Sequence, residues 1–196
     1  MAKPNIAFVE SSLTDGSFES KLADEAIKAI GDRAEVITVD YADLPLLNEK
    51  SKEAAPDAAL AIRDKFRNAD AVWVFISEYQ KSIPPMVHNL FDWLTTPMAN
   101  DSTTASVLDQ KPVAISGIGG FGGMFARVQL GDLLEDNNMR VFPVEVGLSV
   151  PKEALATNDW VMDEADIKAI DMQADDFLTF ISENEADEPK HEEKKD

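Results

Sequence analysis

The segment Ser77-Glu78-Tyr79-Gln80-Lys81-Ser82 brings a carboxylate, a phenol, an amide, an ammonium and two hydroxyls together in one short stretch. It follows the wholly apolar run at residues 71–76 and precedes Ile83-Pro84-Pro85, where apolar residues at helical spacing begin. A polar loop between a buried strand and a helix is where an open α/β sheet binds its ligand. Two further stretches have compositions suited to a ligand. Residues 10–17 carry the hydroxyls Ser11, Ser12, Thr14 and Ser17 just ahead of a helical pattern, the donors that a phosphate at a helix N-terminus needs. Ser17 is also a fair N-cap for that helix. Residues 117–123 hold Gly119, Gly120, Gly122 and Gly123, which let a backbone approach a flat ligand closely.

Bond-cleaving chemistry finds little support. The chain has no cysteine and no Gly-x-Ser-x-Gly elbow, and neither Ser12 nor Ser17 has an identifiable base. Its two histidines, His88 and His191, are far apart, and no histidine–carboxylate pattern has metal-ligand spacing. The Gly-rich stretch is not a Walker loop, because no Gly-Lys-Ser/Thr follows it. Nor does it follow the first strand, where a dinucleotide fingerprint belongs. Arg127, about one turn beyond it, is a candidate for a nicotinamide dinucleotide's phosphate or an ordinary solvated helix residue.

The elements that must position these loops alternate. Apolar or β-branched runs at 5–9, 34–39, 71–76, 111–116 and 139–144 read as strands. Helical spacing fills 18–30, 57–68, 84–95, a stretch through Phe125, Val128, Leu130, Leu133 and Leu134, and 160–181. Residues 41–56 and 97–110 read as loops, the latter a surface excursion through Ser102-Thr103-Thr104. Strands alternating with helices imply an α/β fold with parallel pairing and right-handed crossovers. The loops after the first, third and fourth strands, which are the three polar stretches above, then meet at one edge. Phe91 and Trp93 are core residues or part of an interface, and His88 reads as a surface or interface residue.

The chain's 196 residues fit one domain, since domains usually run ~100–200 residues. A domain at 1–182 is expected, followed by an acidic tail at 183–196 whose composition predicts disorder. The net charge of −19 argues against nucleic acid and anionic membrane as partners. No apolar run approaches the ~20 residues of a membrane span, and no signal peptide is visible. The absence of cysteine fits a cytoplasmic protein.

Residues 77–84 resemble the Pro-Glu-Tyr-Asn-x-Ser-Ile-Pro loop of the NADPH-dependent FMN reductases, a family that includes quinone, azo-dye and chromate reductases. The resemblance covers roughly residues 4–150. Ser12, Gly16 and Ser17 match the family's Gly-Ser-x-Arg-x-Gly-Ser-x-Asn loop, but Thr14 stands at its arginine and Glu19 at its asparagine. Gln80 and Lys81 replace an asparagine and a glycine. The resemblance implies a flavodoxin-like, doubly wound, five-stranded parallel sheet in the order 2-1-3-4-5, within three α/β/α layers. It implies FMN as cofactor and NADPH or NADH as co-substrate, with hydride passing to the flavin and electrons then to a quinone, azo compound, free flavin or metal oxyanion. It places Ser12, Ser17, Glu78, Tyr79, Gln80, Lys81, Ser82, Gly119 and Gly120 at the cofactor, names no protein group as catalytic, and implies a homodimer or a dimer of dimers. Two other readings stand beside it. One is an acidic flavodoxin-type electron carrier; the other is a member that has lost the flavin and acts as a binding protein, motivated by Thr14 and Glu19.

Overall fold

The computed structural model describes residues 3–101 and 106–187. Strands β1 (Asn5–Glu10), β2 (Glu35–Thr38), β3 (Ala71–Ser77) and β4 (Pro112–Ile118) pair in parallel in the order β2-β1-β3-β4. The fifth position departs from the expected single strand at 139–144. It holds two short strands, β5 (Arg140–Val141) and β6 (Val146–Leu148), both paired with β4. Val113 faces Val141 while Ser116 faces Val146, so the outer chain has extra residues between the two pairings. Pro143 lies in that bulge, after the Phe142 amide makes its bond to the Val113 carbonyl of β4 at 2.8 Å. Buried Gln173 fills the gap, donating from Nε2 to the carbonyls of Val144 at 2.9 Å and Ile115 at 3.0 Å.

β3 is apolar on both faces because both faces are covered, as parallel sheets require. Its residues alternate between two cores. Val72, Val74 and Ile76 face α3 (Asp57–Arg67), α4 (Pro85–Thr95) and α5 (Met124–Asp136), packing with Phe66, Leu90, Leu130 and Leu134. Trp73 and Phe75 face α1 (Phe18–Ile30) and α7 (Glu164–Asp187), packing with Leu22, Ile30, Ile170 and Phe177. These are the three layers. The Trp73 indole N–H donates to Ser116 Oγ at 2.8 Å, and that hydroxyl donates to Gln173 Oε1 at 2.6 Å, so the buried polar atoms between sheet and α7 satisfy one another.

Local signals explain most boundaries. Ser17 caps α1, its hydroxyl accepting the Ser20 amide at 3.1 Å, and Gly31 ends that helix at φ 60°. Pro85 opens α4. A short helix, α2 (Glu49–Glu53), interrupts the expected loop, capped by Asn48. The final helix starts later than the apolar spacing predicts. A separate short helix, α6 (Lys152–Thr157), comes first, and Asp163 accepts the amides of Ala165 and Asp166 to start α7. Trp160 instead lies before α7, buried edge-on against Phe18 at 5.9 Å. α7 continues to Asp187, so residues 183–187 are helical rather than part of the expected tail; residues 188–196, and Ser102 to Thr104 of the expected excursion, lie outside the described residues. Val107 and Leu108 of that excursion return to the core.

Phe91 and Trp93 are both core residues. His88 is exposed on α4 beside Asp92, with Nδ1 3.6 Å from the carboxylate. On α5 the sequence spacing misplaces the buried face: Ala126, Leu130 and Leu134 turn inward, while Phe125 and Val128 are exposed.

Candidate functional site

The register of β1, β3 and β4 brings the three polar loops to one sheet edge, and side chains tie them together. Ser11 links the first two. Its hydroxyl accepts the Ser77 amide at 2.9 Å, lies 3.3 Å from Ser77 Oγ, and donates to Glu19 Oε1 at 3.1 Å. Glu19 sits in the first turn of α1 and is only 6 % exposed. In the same loop, Glu10 Oε2 accepts the Ser20 hydroxyl at 2.6 Å, and the Glu10 carbonyl accepts the Tyr41 phenol at 2.6 Å. Burial, then the charges of Glu10 and Glu19, hold that phenol well above the usual tyrosine range. Ser12 accepts the Thr14 amide at 3.3 Å and Ser17 is engaged at the cap, so both predicted hydroxyls shape the loop.

The second loop is a tight hairpin. Tyr79 and Ser82 exchange both backbone hydrogen bonds at 3.0 Å, and Gln80 and Lys81 between them lie at φ 52° and 59°. Two left-handed residues in a two-residue turn ordinarily call for Asn-Gly. The turn persists here because α5 grips it: Gln129 Nε2 donates to the Lys81 carbonyl at 3.0 Å, and Gln129 Oε1 accepts the Ser82 hydroxyl at 2.8 Å. The Lys81 ammonium lies 5.5 Å from the centroid of the Phe125 ring. Tyr79 is 60 % exposed. Glu78 turns to the start of α5, where its carboxylate accepts the Phe125 amide at 3.2 Å. Gly123, the residue before α5, has no side chain to do this, so a neighbouring loop supplies the cap.

The third loop turns through a single helical turn, Gly120–Gly123, with left-handed dihedrals at Phe121 and Gly122. Gly119 sits at φ 124°, a conformation natural only to glycine, and its amide donates to the Leu148 carbonyl at 3.1 Å. A Cβ at Gly119 or Gly120 would meet nothing within 4 Å, so both residues have open faces. Gly122, by contrast, packs so closely on Gly147 that a Cβ would come within 2.5 Å of its backbone. Phe121 stands 84 % exposed at the tip. Arg127 is committed inside the protein: Nε donates to the Gly122 carbonyl at 2.9 Å and the guanidinium pairs with Glu145.

The structure therefore gathers Glu78, Tyr79, Gln80, Lys81 and Ser82 beside α5, with Ser12 and Ser17 on the first loop and Gly119 and Gly120 on the third. Sequence patterns assign no role to Gln129, which anchors the hairpin, or to Glu10 and Ser20, which pair under the first loop. None of the three belongs to a motif, and only the packing of α5 and α1 reveals them. A cavity of about 350 Å³ opens beside the first loop, lined by Glu10, Ser12, Thr14, Asp15, Thr38 and Asp40 among others. Its lining contains no lysine or arginine.

Residues 4–153 match the family model for NADPH-dependent FMN reductase. The chain is 28% identical over 86% of its length to the NADH-dependent flavin reductase subunit 2 of Lactobacillus johnsonii, covering 92% of that protein. It is 30% identical over 64% of its length to the 2-hydroxy-1,4-benzoquinone reductase of a Burkholderia species, covering 67% of it. Among solved structures it is similar to the flavoenzyme NAD(P)H:(acceptor) oxidoreductase FerB of Paracoccus denitrificans, with a TM-score of 0.80 and 27% identity, covering 92% of this chain and 98% of that one. A match across both lobes of the sheet and all three loops has one reading: the chain belongs to the NADPH-dependent FMN reductase family.

Proposed function

We propose that the edge formed by residues 11–17, 77–82 and 117–123 is where this chain holds its flavin, and that a small quinone-type molecule takes the electrons. Family membership makes the protein an FMN-dependent NAD(P)H oxidoreductase on a flavodoxin-like fold. The observation that carries the location is the hairpin. Among the described residues, no backbone acceptor takes the amides of Gln80 and Lys81, and the open faces of Gly119 and Gly120 lie on the adjoining loop. The two hairpin amides are donors for carbonyl oxygens at the edge of a flat ring, and the exposed phenol ring and bare glycine faces give that ring surfaces to lie against. The α1 N-terminus, with its hydroxyl-rich loop, suits the ribityl end.

When bound, FMN supplies a ring that accepts hydride from a nicotinamide and hands the electrons on. The chain's own part is binding and electrostatics. Gln80 and Lys81 present amides, held in place by Gln129. Tyr79 and Phe121 cover apolar surface. The Lys81 ammonium puts positive charge at the hairpin tip, where it favours negative charge gained by a reduced ring. No side chain is asked to act as acid or base. The quinone assignment draws on relatives named as quinone reductases; the co-substrate is NADH or NADPH.

The protein reads as a cytoplasmic homodimer. Supporting this, the chain has no cysteine, and among the described residues no helix is long and apolar enough to cross a membrane. Phe121, Met124, Phe125 and Val128 form an exposed apolar group that a second copy would cover. Sedimentation velocity tests the dimer, and a monomer at all concentrations overturns it.

The site is tested by adding FMN to the purified protein, desalting, and recording the visible spectrum before and after NADPH without oxygen. A retained chromophore that bleaches supports the reading, and turnover with a benzoquinone follows. Retained flavin that NADPH and NADH leave oxidised points to an electron carrier. A Gln129→Ala variant that binds flavin as tightly as the native chain would sink the hairpin location.

A further inference from the structure

The first loop inverts the charge that a phosphate needs. Residues 10–20 include Glu10, Asp15 and Glu19 and no lysine or arginine. Glu19 is almost wholly buried in the first turn of α1, where its carboxylate already meets the positive end of the helix and accepts the Ser11 hydroxyl. Glu10 accepts the Ser20 hydroxyl one turn away and lines the adjoining cavity, with Asp15 and Asp40. Lys21, on the next turn, directs its ammonium to the Asn158 carbonyl at 2.8 Å. Thr14 is neutral. A phosphate monoester near neutral pH carries close to two negative charges and offers mainly acceptors. Carboxylates also only accept. A free hydroxyl, in contrast, can donate to them.

We propose that Glu19, seconded by Glu10, sets the flavin specificity of this chain: the site gains at most one modest interaction from a terminal phosphate and takes a flavin ending in a free hydroxyl about as readily as FMN. Affinity then comes from the ring side, through the hairpin and the glycine loop. This rests on the flavin location proposed above, and the two fail differently.

The test titrates FMN and riboflavin separately into the native protein and into Glu19→Gln and Glu10→Gln, following the quenching of flavin fluorescence. The Glu19→Gln change keeps the side-chain length and the acceptor that holds Ser11, so the loop retains its tie. In the native protein FMN is expected to bind no more than about tenfold more tightly than riboflavin, the equivalent of one modest interaction. Removing the Glu19 charge is expected to tighten FMN about tenfold or more, as loss of a like charge at close range predicts, while riboflavin changes little. A larger native preference for FMN, or a Glu19→Gln protein with unchanged FMN affinity, overturns the specificity assignment and leaves the flavin location standing. Failure of both flavins to bind the native protein overturns both. A folded Glu10→Gln protein with the same selective gain for FMN supports the proposal should Glu19→Gln not fold.

Discussion

Arg127 donates through Nε to the carbonyl of Gly122 at 2.9 Å, so a residue that resembles a ligand-binding cation holds the backbone of the glycine loop instead. Its guanidinium pairs with Glu145 in the bulge between β5 and β6 and packs on Gly147, while its methylene stem packs on Gly117, so an added Cβ at either glycine would collide with Arg127. The third loop and the broken fifth strand are thus one unit. Replacing Arg127 by Ala removes a charge-assisted hydrogen bond and leaves Glu145 without it. A loss of about 2–3 kcal/mol in urea unfolding is expected. Gly147→Ala drives a methyl into the same guanidinium and lowers stability as well. An Arg127→Ala protein of native stability would show that the loop holds itself.

The hairpin carries strain that substitution should relieve. Gln80 and Lys81 are left-handed without being glycine or asparagine. The double change Gln80→Asn with Lys81→Gly supplies the residues such a turn prefers and should raise stability by about 1 kcal/mol. The loss of the Lys81–Phe125 contact reduces that gain by roughly 0.5 kcal/mol, since the lysine is exposed. Thermal unfolding of the single and double variants separates the two contributions, and a double variant less stable than the native chain would contradict the strain.

Arg63 is buried at 2 % exposure, donates to Asp101 at 2.6 Å, and gives its Nη1 hydrogens to the carbonyls of Trp93 at 2.8 Å and Leu94 at 2.9 Å. It thereby closes the end of α4, the helix that leaves the hairpin. Arg63→Met would take the nearer guanidinium from the Asp101 carboxylate, which Arg67 also meets at 3.1 Å, and would strand those carbonyls. A cost of about 3 kcal/mol is expected. Chemical denaturation reads this directly; a cost below about 1 kcal/mol would mean that water replaces the guanidinium.

Tyr41 predicts an alkaline limit. Its phenol is held above the ordinary value of 10.0, first by burial and then by the charges of Glu10 and Glu19. Tyrosine therefore ionises more readily in the unfolded chain than in the folded one. The stability this contributes is full below about pH 10 and is lost as pH climbs towards the raised folded value, by up to about 1.4 kcal/mol per pH unit. Tyr41→Phe should be less stable than the native protein by about 1 kcal/mol at pH 8, from the lost bond to the Glu10 carbonyl, but should fall less steeply from pH 10 to 11. Parallel curves for the two proteins would contradict this.

Part of this molecule is legible in its residues before any fold is known. The unbroken apolar run of β3 requires a sheet covered on both faces. Ser17 and Gly31 bound α1, Pro85 opens α4, and the loop through Tyr79 and Ser82 is specific enough to point to a family. Each of these signals is carried by residues adjacent along the chain, so the pattern is visible without the fold. Packing across the sheet settled the remainder. It split the fifth strand, where the outer chain bulges between its two pairings with β4 and Gln173, a residue on a distant helix, takes the Ile115 carbonyl of β4. It turned Phe125 and Val128 outward, because Ala126, Leu130 and Leu134 form the stripe that meets the core while Glu78 and Gln129 tie the opposite side of α5 to the hairpin. It turned Arg127 inward to Gly122, and it buried Glu19 beneath the first loop. These outcomes depend on which side chains meet across the sheet edge, and no spacing along the chain encodes that meeting.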